Sequence, residues 1–239
     1  MTESYDKSYL QWKNWDTQLR FGDLSPKQHA YYKAEIKRTG AYLPESSKIL
    51  EIGFGSGSFL RYAKDKKWDT LGTEVNKHLV EAGISSGFNV ILSDNLNSFL
   101  DNHFDLVVAF DVLEHIHKDD LVRFFAEVKR ILKPGGAFIA CFPNGDSPFG
   151  LRHQNGDITH VTAIGSHMAH YFAAKCDLKI VFLGGQAEPL LVANPTLFVH
   201  RLLSLPLIKI LNLFTNLLIT PKLWFAFYSS NLTLSLRKP

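Results

Sequence analysis

The chain has 239 residues, 46% hydrophobic and 21% charged, which is enough apolar material for one globular domain with a full core and excludes a disordered tail. Its 26 Lys and Arg against 23 Asp and Glu leave a formal net charge of +3, too mild to argue for a nucleic-acid binder. The charge is unevenly spread: Glu188 is the last acid, and beyond it only Arg201, Lys209, Lys222, Arg237 and Lys238 are charged. A basic, acid-free and apolar ending points to an anionic membrane surface as a neighbour.

The opening Met1-Thr2-Glu3-Ser4-Tyr5-Asp6 is polar and lacks the apolar core of an export signal, so a cytoplasmic location is expected. Residues 1–45 carry Tyr5, Tyr9, Trp12, Trp15, Phe21, Tyr31 and Tyr32 and predict one or two helices, a cap that either packs on the core or forms a lid. From 48 to 142, short β-type runs at 48–52, 69–74, 88–92, 104–110 and 137–142 alternate with helix-length segments, the pattern of a parallel, doubly wound sheet. The clearest helix is 119–132, where Leu121, Phe124, Phe125, Val128 and Leu132 recur at three- and four-residue steps. Asp119 and Asp120 at its start and Lys129, Arg130 and Lys133 at its end match the helix dipole, and Pro134-Gly135-Gly136 is expected to stop it.

A loop at 143–160 follows, then a helix at 166–175 and a strand at 178–183. Residues 190–222 read as an apolar helical insertion, and 223–237 as a last strand with Leu232, Leu234 and Leu236 alternating. Cys141 and Cys176 make no metal or redox spacing and read as reduced, buried thiols. His167 and His170 lie three apart, but no matching carboxylates accompany them, so a packing or surface role is expected.

Ile49-Leu50-Glu51-Ile52-Gly53-Phe54-Gly55-Ser56-Gly57-Ser58 is a buried strand, a glycine turn and a helix start. Such a turn lets backbone N–H groups approach a ligand closely, and the helix start favours negative charge. Counted from Gly53 or from Gly55, the third glycine of the dinucleotide fingerprint is missing, and the Lys-Ser/Thr pair of a phosphate-binding P-loop is also missing. The match is to Glu-x-Gly-x-Gly-x-Gly. Further on, Glu74 stands 21 positions after Gly53, Ser93-Asp94-Asn95 follows the third strand, and Phe110-Asp111-Val112-Leu113-Glu114-His115-Ile116 follows the fourth. Leu132-Lys133-Pro134-Gly135-Gly136 precedes the fifth.

In these landmarks and their order, over residues 47–143, the chain resembles the class I S-adenosylmethionine-dependent methyltransferases, in particular small enzymes acting on sugars, quinones and lipids. The resemblance implies a Rossmann-like α/β sheet of seven strands, mostly parallel with an antiparallel last strand, and S-adenosylmethionine as cofactor. The apolar helical insertion precedes that last strand. It implies cofactor contacts from Glu51, Gly53, Gly55, Gly57, Glu74, Asp94, Phe110 and Asp111, with Glu74 accepting the ribose hydroxyls, Asp94 at the adenine and Asp111 at the methionine part. The domain division is then an N-terminal cap at 1–45, a cofactor-binding domain at 46–189, the insertion at 190–222 and the returning strand at 223–239.

The acceptor is expected above the carboxyl ends of the fourth and fifth strands. Two groups map there. Asp111, Glu114 and His115 have the spacing with which some quinone-type members hold a divalent metal. The same string also occurs in metal-free members, and no metal is expected here. The other group is Asn144, Arg152, Asn155, Asp157 and His160, in a Gly-Asp-x-Thr-His string resembling a loop of methyltransferases of surface-polysaccharide and lipid pathways. A hydroxyl acceptor needs a base, and His160 or His115 is the candidate, with Asp157 orienting it. The alternative is a loop pinned by its own Asp and Thr hydrogen bonds.

In 202–220, Lys209, Asn212 and Asn216 share one helical face and leucines fill the rest, with Pro206 in the run. That suits an interfacial helix better than a membrane span, with packing on its own domain as the alternative. The expected activity is O-methylation of a sugar hydroxyl in a polysaccharide or glycolipid precursor, in the cytoplasm or at the inner face of the membrane, with peripheral membrane association through 200–228. A quinone or phenolic-lipid O-methyltransferase and a non-catalytic S-adenosylmethionine-binding scaffold are the alternatives. Nucleic acid is not an expected partner, because Phe110-Asp111-Val112-Leu113 stands where base-methylating enzymes carry Asn/Asp-Pro-Pro-aromatic.

Overall fold

The computed structural model describes residues 21–189, 195–219 and 226–239. Tyr5, Tyr9, Trp12, Trp15, Lys222, Trp224 and Phe225 lie outside them. Strands β1 (Lys48–Ile52), β2 (Asp69–Glu74), β3 (Val90–Leu92), β4 (Phe104–Phe110), β5 (Leu132–Pro143), β6 (Lys179–Gly185) and β7 (Asn231–Arg237) form one sheet in the order β3-β2-β1-β4-β5-β7-β6. The β1, β2, β3, β4 and β5 pairings are parallel, and β7 runs antiparallel to both β5 and β6. The order reverses between β1 and β4, and at such a switch point an open α/β sheet leaves a crevice beyond the carboxyl ends of its strands.

Strands covered on both faces read as continuous apolar runs, and Ile49, Leu50, Leu106, Val107, Val108 and Ala109 are indeed all fully buried. Alternate residues serve opposite layers. Leu50, Val107 and Phe138 pack with Phe125 and Val128 of α4 (Lys118–Ile131) and Phe172 of α6 (Ser166–Lys175). Ile49, Leu106, Val108 and Ile139 pack with Tyr32 and Ile36 of α1 (Pro26–Arg38) and Phe59 and Tyr62 of α2 (Ser58–Asp65). Helix α1 starts on a capping box between Ser25 and Gln28 with Pro26 at its first position. Helix α3 (Lys77–Ser85) follows β2 and is capped by Asn76.

Several boundaries differ from the sequence pattern. Strand β3 starts at Val90 because Phe88 turns into a cluster with Phe54 and Phe21. Helix α4 ends at Ile131, before Pro134, and leads directly into β5. Leu132 pairs with Phe104, and the register then shifts so that Ala137 faces Leu106, which makes Lys133-Pro134-Gly135-Gly136 an irregularity of the strand and not the helix stop expected of it. The expected loop at 143–160 holds a short helix, α5 (Pro148–Gln154), whose Ser147 cap accepts from the Phe149 N–H.

Helix α7 (Pro195–Ile219) runs through Pro206 without a break. The four described C-terminal cations, Arg201, Lys209, Arg237 and Lys238, do not form one basic surface. Arg237 donates to the Thr39 carbonyl and Lys238 to the Leu132 carbonyl, at the end of the sheet opposite the crevice.

Candidate functional site

The turn from β1 to α2 places Gly53, Gly55 and Gly57 at φ of +67°, +51° and +75°, a region L side chains rarely adopt. A Cβ on Gly53 would stand 2.7 Å from Val112 Cγ2, so the turn lies directly against the segment after β4. Asp111 in that segment is itself left-handed, at φ +54°, and its N–H donates to the Cys141 carbonyl. Aspartate is among the few side chains that tolerate this geometry, which gathers at functional sites.

Two buried carboxylates underlie the turn. Glu51 is 4% exposed, and its Oε2 has no hydrogen-bond partner. Burial, and then the nearby Glu74 charge, push its pKa well above the usual carboxylate range. Glu74 turns inward: Oε2 accepts from Gly55 N–H at 3.1 Å, and Oε1 accepts from Val75 and Asn76 N–H at 2.8 and 3.2 Å. Burial raises its pKa, opposed by these three bonds. Glu74 therefore shapes the glycine turn from beneath.

Beyond the carboxyl ends of β1, β4 and β5 lies a cavity of about 520 Å³. Its walls include Glu51, Gly53, Gly55, Phe110 and Asp111 from the ends of β1 and β4, Arg152, His153, Gly156, Asp157 and His160 from the loop after β5, and Glu114, His115, Tyr32 and Ser58. Of the residues predicted for the cofactor, Gly57, Glu74 and Asp94 are not among these walls. Asp94 is exposed and accepts from Asn95 Nδ2 at 2.8 Å. Of the predicted acceptor loop, Asn144 is 1% exposed and turned away, donating to the Ala226 and Ser229 carbonyls, and Asn155 caps α5.

The two candidate groups form one cluster. Val161 and Thr162 N–H both donate to the Glu114 carbonyl, and the Thr162 hydroxyl donates to the Ile116 carbonyl, stitching the 157–162 loop to the 3-10 turn Leu113–His115. Asp157 Oδ1 accepts from the Thr159 N–H at 3.0 Å and from its hydroxyl at 2.6 Å. With the hydroxyl proton committed there, both Thr159 oxygens can only accept from His115 Nδ1, at 3.0 and 3.2 Å. This sets the neutral His115 ring in the Nδ1–H tautomer and makes Nε2 its basic nitrogen.

His160 stacks edge-on against His115 with ring centroids 4.7 Å apart. Its Nε2 lies 3.7 Å from Asp157 Oδ2 and 3.9 Å from Glu114 Oε1, and all three side chains are at most 7% exposed. Donor atoms of Glu114, His115 and His160 lie within 4.8 Å of one another. The spacing Asp111, Glu114, His115 is thus replaced in space by a set with His160 in place of Asp111. Thr159, which ties both histidines' neighbours together, was legible only as the third residue of an Asp-x-Thr turn. Tyr32 and Ser58, which share a 2.6 Å hydrogen bond at the cavity wall, carry no signal in the sequence.

A doubly wound sheet with one reversed strand, a glycine turn at its switch point and an acid-lined cavity beside it defines an α/β enzyme fold that takes a nucleoside-containing cofactor. A methyltransferase-domain family profile matches residues 26–175, more than half of the chain, and the chain belongs to that family. The fold superposes on a SAM-dependent methyltransferase from Archaeoglobus fulgidus with a TM-score of 0.66 at 19% identity, over 98% of this chain and 100% of that one.

Among curated proteins the chain is similar to the probable tRNA methyltransferase 9B of Bos taurus, with 37% identity over 92 residues, 38% of this chain and 20% of that protein. It is also similar to the sterol 24-C-methyltransferase erg6 of Aspergillus fumigatus, with 29% identity over 140 residues, 52% of this chain and 36% of that protein. The match thus spans well under half the length of either relative. Family and fold together indicate S-adenosylmethionine as the cofactor. The residues present fit it: Gly53 and Gly55 of the turn line the cavity, where backbone N–H groups can meet a carboxylate, and the orphaned Glu51 Oε2 offers an acceptor and Asp111 a negative charge to a cationic ligand.

Proposed function

We propose that the protein is an S-adenosylmethionine-dependent O-methyltransferase acting on a sugar hydroxyl of a polysaccharide or glycolipid precursor, working in the cytoplasm at the inner face of the membrane. The observation that carries this reading is the Asp157–His160–His115 cluster, which lines the same cavity as the glycine turn. The bound cofactor supplies a methyl group on a cationic sulfur, so the protein's work is alignment and removal of the acceptor's proton. The glycine turn and Glu51 hold the cofactor's amino-acid end, and Asp111 faces its charged centre. Glu74 supports the turn, and Asp94 lies on the loop that would meet the adenine.

His160 would take the hydroxyl proton at Nε2 as the acceptor oxygen replaces sulfur on the methyl carbon, the carbon–sulfur bond breaking to leave a neutral thioether. Asp157 Oδ2 and Glu114 Oε1, 3.7 and 3.9 Å from that nitrogen, stabilise the imidazolium that results. Arg152 and His153 at the cavity wall suit an acceptor that carries phosphate. Transfer of tritium from methyl-labelled S-adenosylmethionine to a panel of sugar nucleotides, lipid-linked saccharides, quinols and RNA tests this. Label should enter the saccharides, and His160→Ala and Asp157→Asn should each slow it by about 100-fold or more with cofactor affinity unchanged. Near-normal rates in both His160→Ala and His115→Ala would remove the base assignment, and label in RNA alone would remove the acceptor class.

A second reading is favoured by the Glu114, His115 and His160 donor set, which could hold a divalent cation. These residues would then position a phenolic or quinol hydroxyl, as in a quinone or phenolic-lipid O-methyltransferase. Metal analysis of the purified chain and of Glu114→Gln separates the two: a stoichiometric cation lost in the variant, with label entering quinols, selects the second.

A further inference from the structure

Helix α7 is inside out. At about 100° per residue, Arg201, Ser204, Asn212, Thr215 and Asn216 share one side with Leu205 and Ile208, and these are half-buried or buried. Leu203, Leu207, Ile210, Phe214, Leu217 and Leu218 lie on the opposite half, and each is between 56% and 70% exposed. An ordinary surface helix turns its apolar stripe inward and its polar face to water. Here the polar side is the inner one. Phe198–Leu218 is long and apolar enough to cross a membrane by length and composition, yet only 11% of it is buried.

The polar side ties the helix down at two points. Arg201 pairs with Glu188 at 3.4 Å near its start. Eleven residues on, about 17 Å along the axis, Asn212 Oδ1 accepts from the Tyr228 N–H at 3.2 Å, and Thr215 meets the Tyr228 hydroxyl at 3.3 Å. A helix pinned at both points lies flat along the domain, so it cannot stand across a bilayer while keeping these contacts. Tyr228 also meets the Phe149 ring at 6.0 Å. Phe149 and Leu151 on α5 are 53% and 47% exposed, a second apolar patch on the short helix whose next two residues, Arg152 and His153, wall the cavity.

We infer that α7 lies in the plane of an anionic lipid bilayer with its outer half sunk into the interface, and that the cavity draws an amphiphilic acceptor from that surface. The docking stands on α7 itself, whereas the acceptor class rests on the methyl-transfer reading above. The occupant is lipid for two reasons. The apolar arc covers about half the helix circumference, which a fluid phase covers whole, whereas a partner helix would cover only a seam. Lys209, exposed at the edge of the arc on a helix with no acid, can lay its stem on the apolar face and extend its amine to anionic headgroups.

The test is flotation of the full chain with vesicles of phosphatidylcholine and phosphatidylglycerol. The protein should float with the vesicles and be released by alkaline carbonate. The double variant Leu207→Glu/Phe214→Glu should lose at least about tenfold in the floated fraction, while keeping its circular dichroism and its calorimetric affinity for S-adenosylmethionine. Retention through carbonate would overturn the in-plane arrangement in favour of a span. Absence of flotation, with or without a stable dimer by light scattering, would overturn lipid as the occupant. Loss of cofactor binding by the wild-type chain, with flotation intact, would sink the methyltransferase reading and leave the docking standing.

Discussion

Gly53→Ala tests the glycine turn where it meets the segment after β4. The substitution puts an L side chain at φ +67° and a methyl 2.7 Å from Val112 Cγ2. The left-handed backbone costs about 1–2 kcal/mol, and the overlap adds about 1–3 kcal/mol if Val112 cannot move. The sum of about 2–5 kcal/mol should lower Tm by roughly 5–15 °C in a domain of this size. Val112→Ala removes the overlap but leaves the backbone strain, so the double variant should recover about 1–3 kcal/mol relative to the sum of the singles. Denaturant titration measures this cycle, and calorimetry with S-adenosylmethionine should show affinity still reduced in the double variant, because the left-handed backbone of the turn remains strained. Costs that add within about 0.5 kcal/mol would refute the contact between the turn and the post-β4 segment. Unchanged affinity in Gly53→Ala would refute the turn as the cofactor's seat.

Glu51→Gln should raise the stability of the cofactor-free protein at neutral pH. Burial raises the Glu51 pKa, so the folded state keeps a proton that the unfolded chain releases above about pH 4.3; stability therefore falls as pH rises from there through the folded value. The gain in Tm should be about 2 °C or more at pH 7 and vanish near pH 4; a gain independent of pH would contradict the assignment. Thr159→Val removes the hydroxyl that donates to Asp157 at 2.6 Å. As a positioning change it should lower kcat about 10- to 100-fold and alter the pH–rate profile, with cofactor affinity intact and Thr159→Ser near normal. Arg130 donates to the Leu96 and Phe99 carbonyls and pairs with Asp101 and Glu127, holding the loop that carries Asp94. Arg130→Met should speed amide exchange across 93–101 and weaken cofactor binding about 5- to 20-fold, the usual scale for losing one or two charged hydrogen bonds; unchanged exchange would show the loop to be held by other contacts.

The parallel sheet is legible because β1 and β4 are covered on both faces and had to be apolar throughout, and α4 because one face alternates at three- and four-residue steps. The glycine turn is legible because left-handed turns select glycine. What stays hidden depends on partners distant in the chain. Asp157 and His160 sit beside Glu114 and His115 through backbone bonds from Val161 and Thr162 to the Glu114 carbonyl, and backbone bonds leave no mark on residue identity. Helix α5 is only 7 residues long, too short for a period to show. Glu74 was read correctly as a strand-end acid, but its three backbone bonds turn it toward the glycine turn and away from the cavity walls.

The sense of α7 was hidden for a different reason. Periodicity tells which residues share a face and says nothing of what covers it, so Lys209, Asn212 and Asn216 read as one polar stripe to be turned toward water. Asn212 and Asn216 instead face the protein, where Asn216 is 2% exposed and its Nδ2 donates to the Asn212 carbonyl at 2.7 Å, while Lys209 stays outside at the edge. The energetic consequence is one-sided. Fully burying a leucine or phenylalanine side chain is worth about 1.5–3 kcal/mol, so even half of that over Leu203, Leu207, Ile210, Phe214, Leu217 and Leu218 comes to roughly 5–9 kcal/mol that water forgoes and lipid recovers. Turning α7 over would hide these side chains and expose the asparagines, but it would break the bonds to Tyr228 and the pair with Glu188. Those contacts fix the apolar half outward, so the same bonds that position the helix on the domain leave that half open to the lipid surface inferred for it.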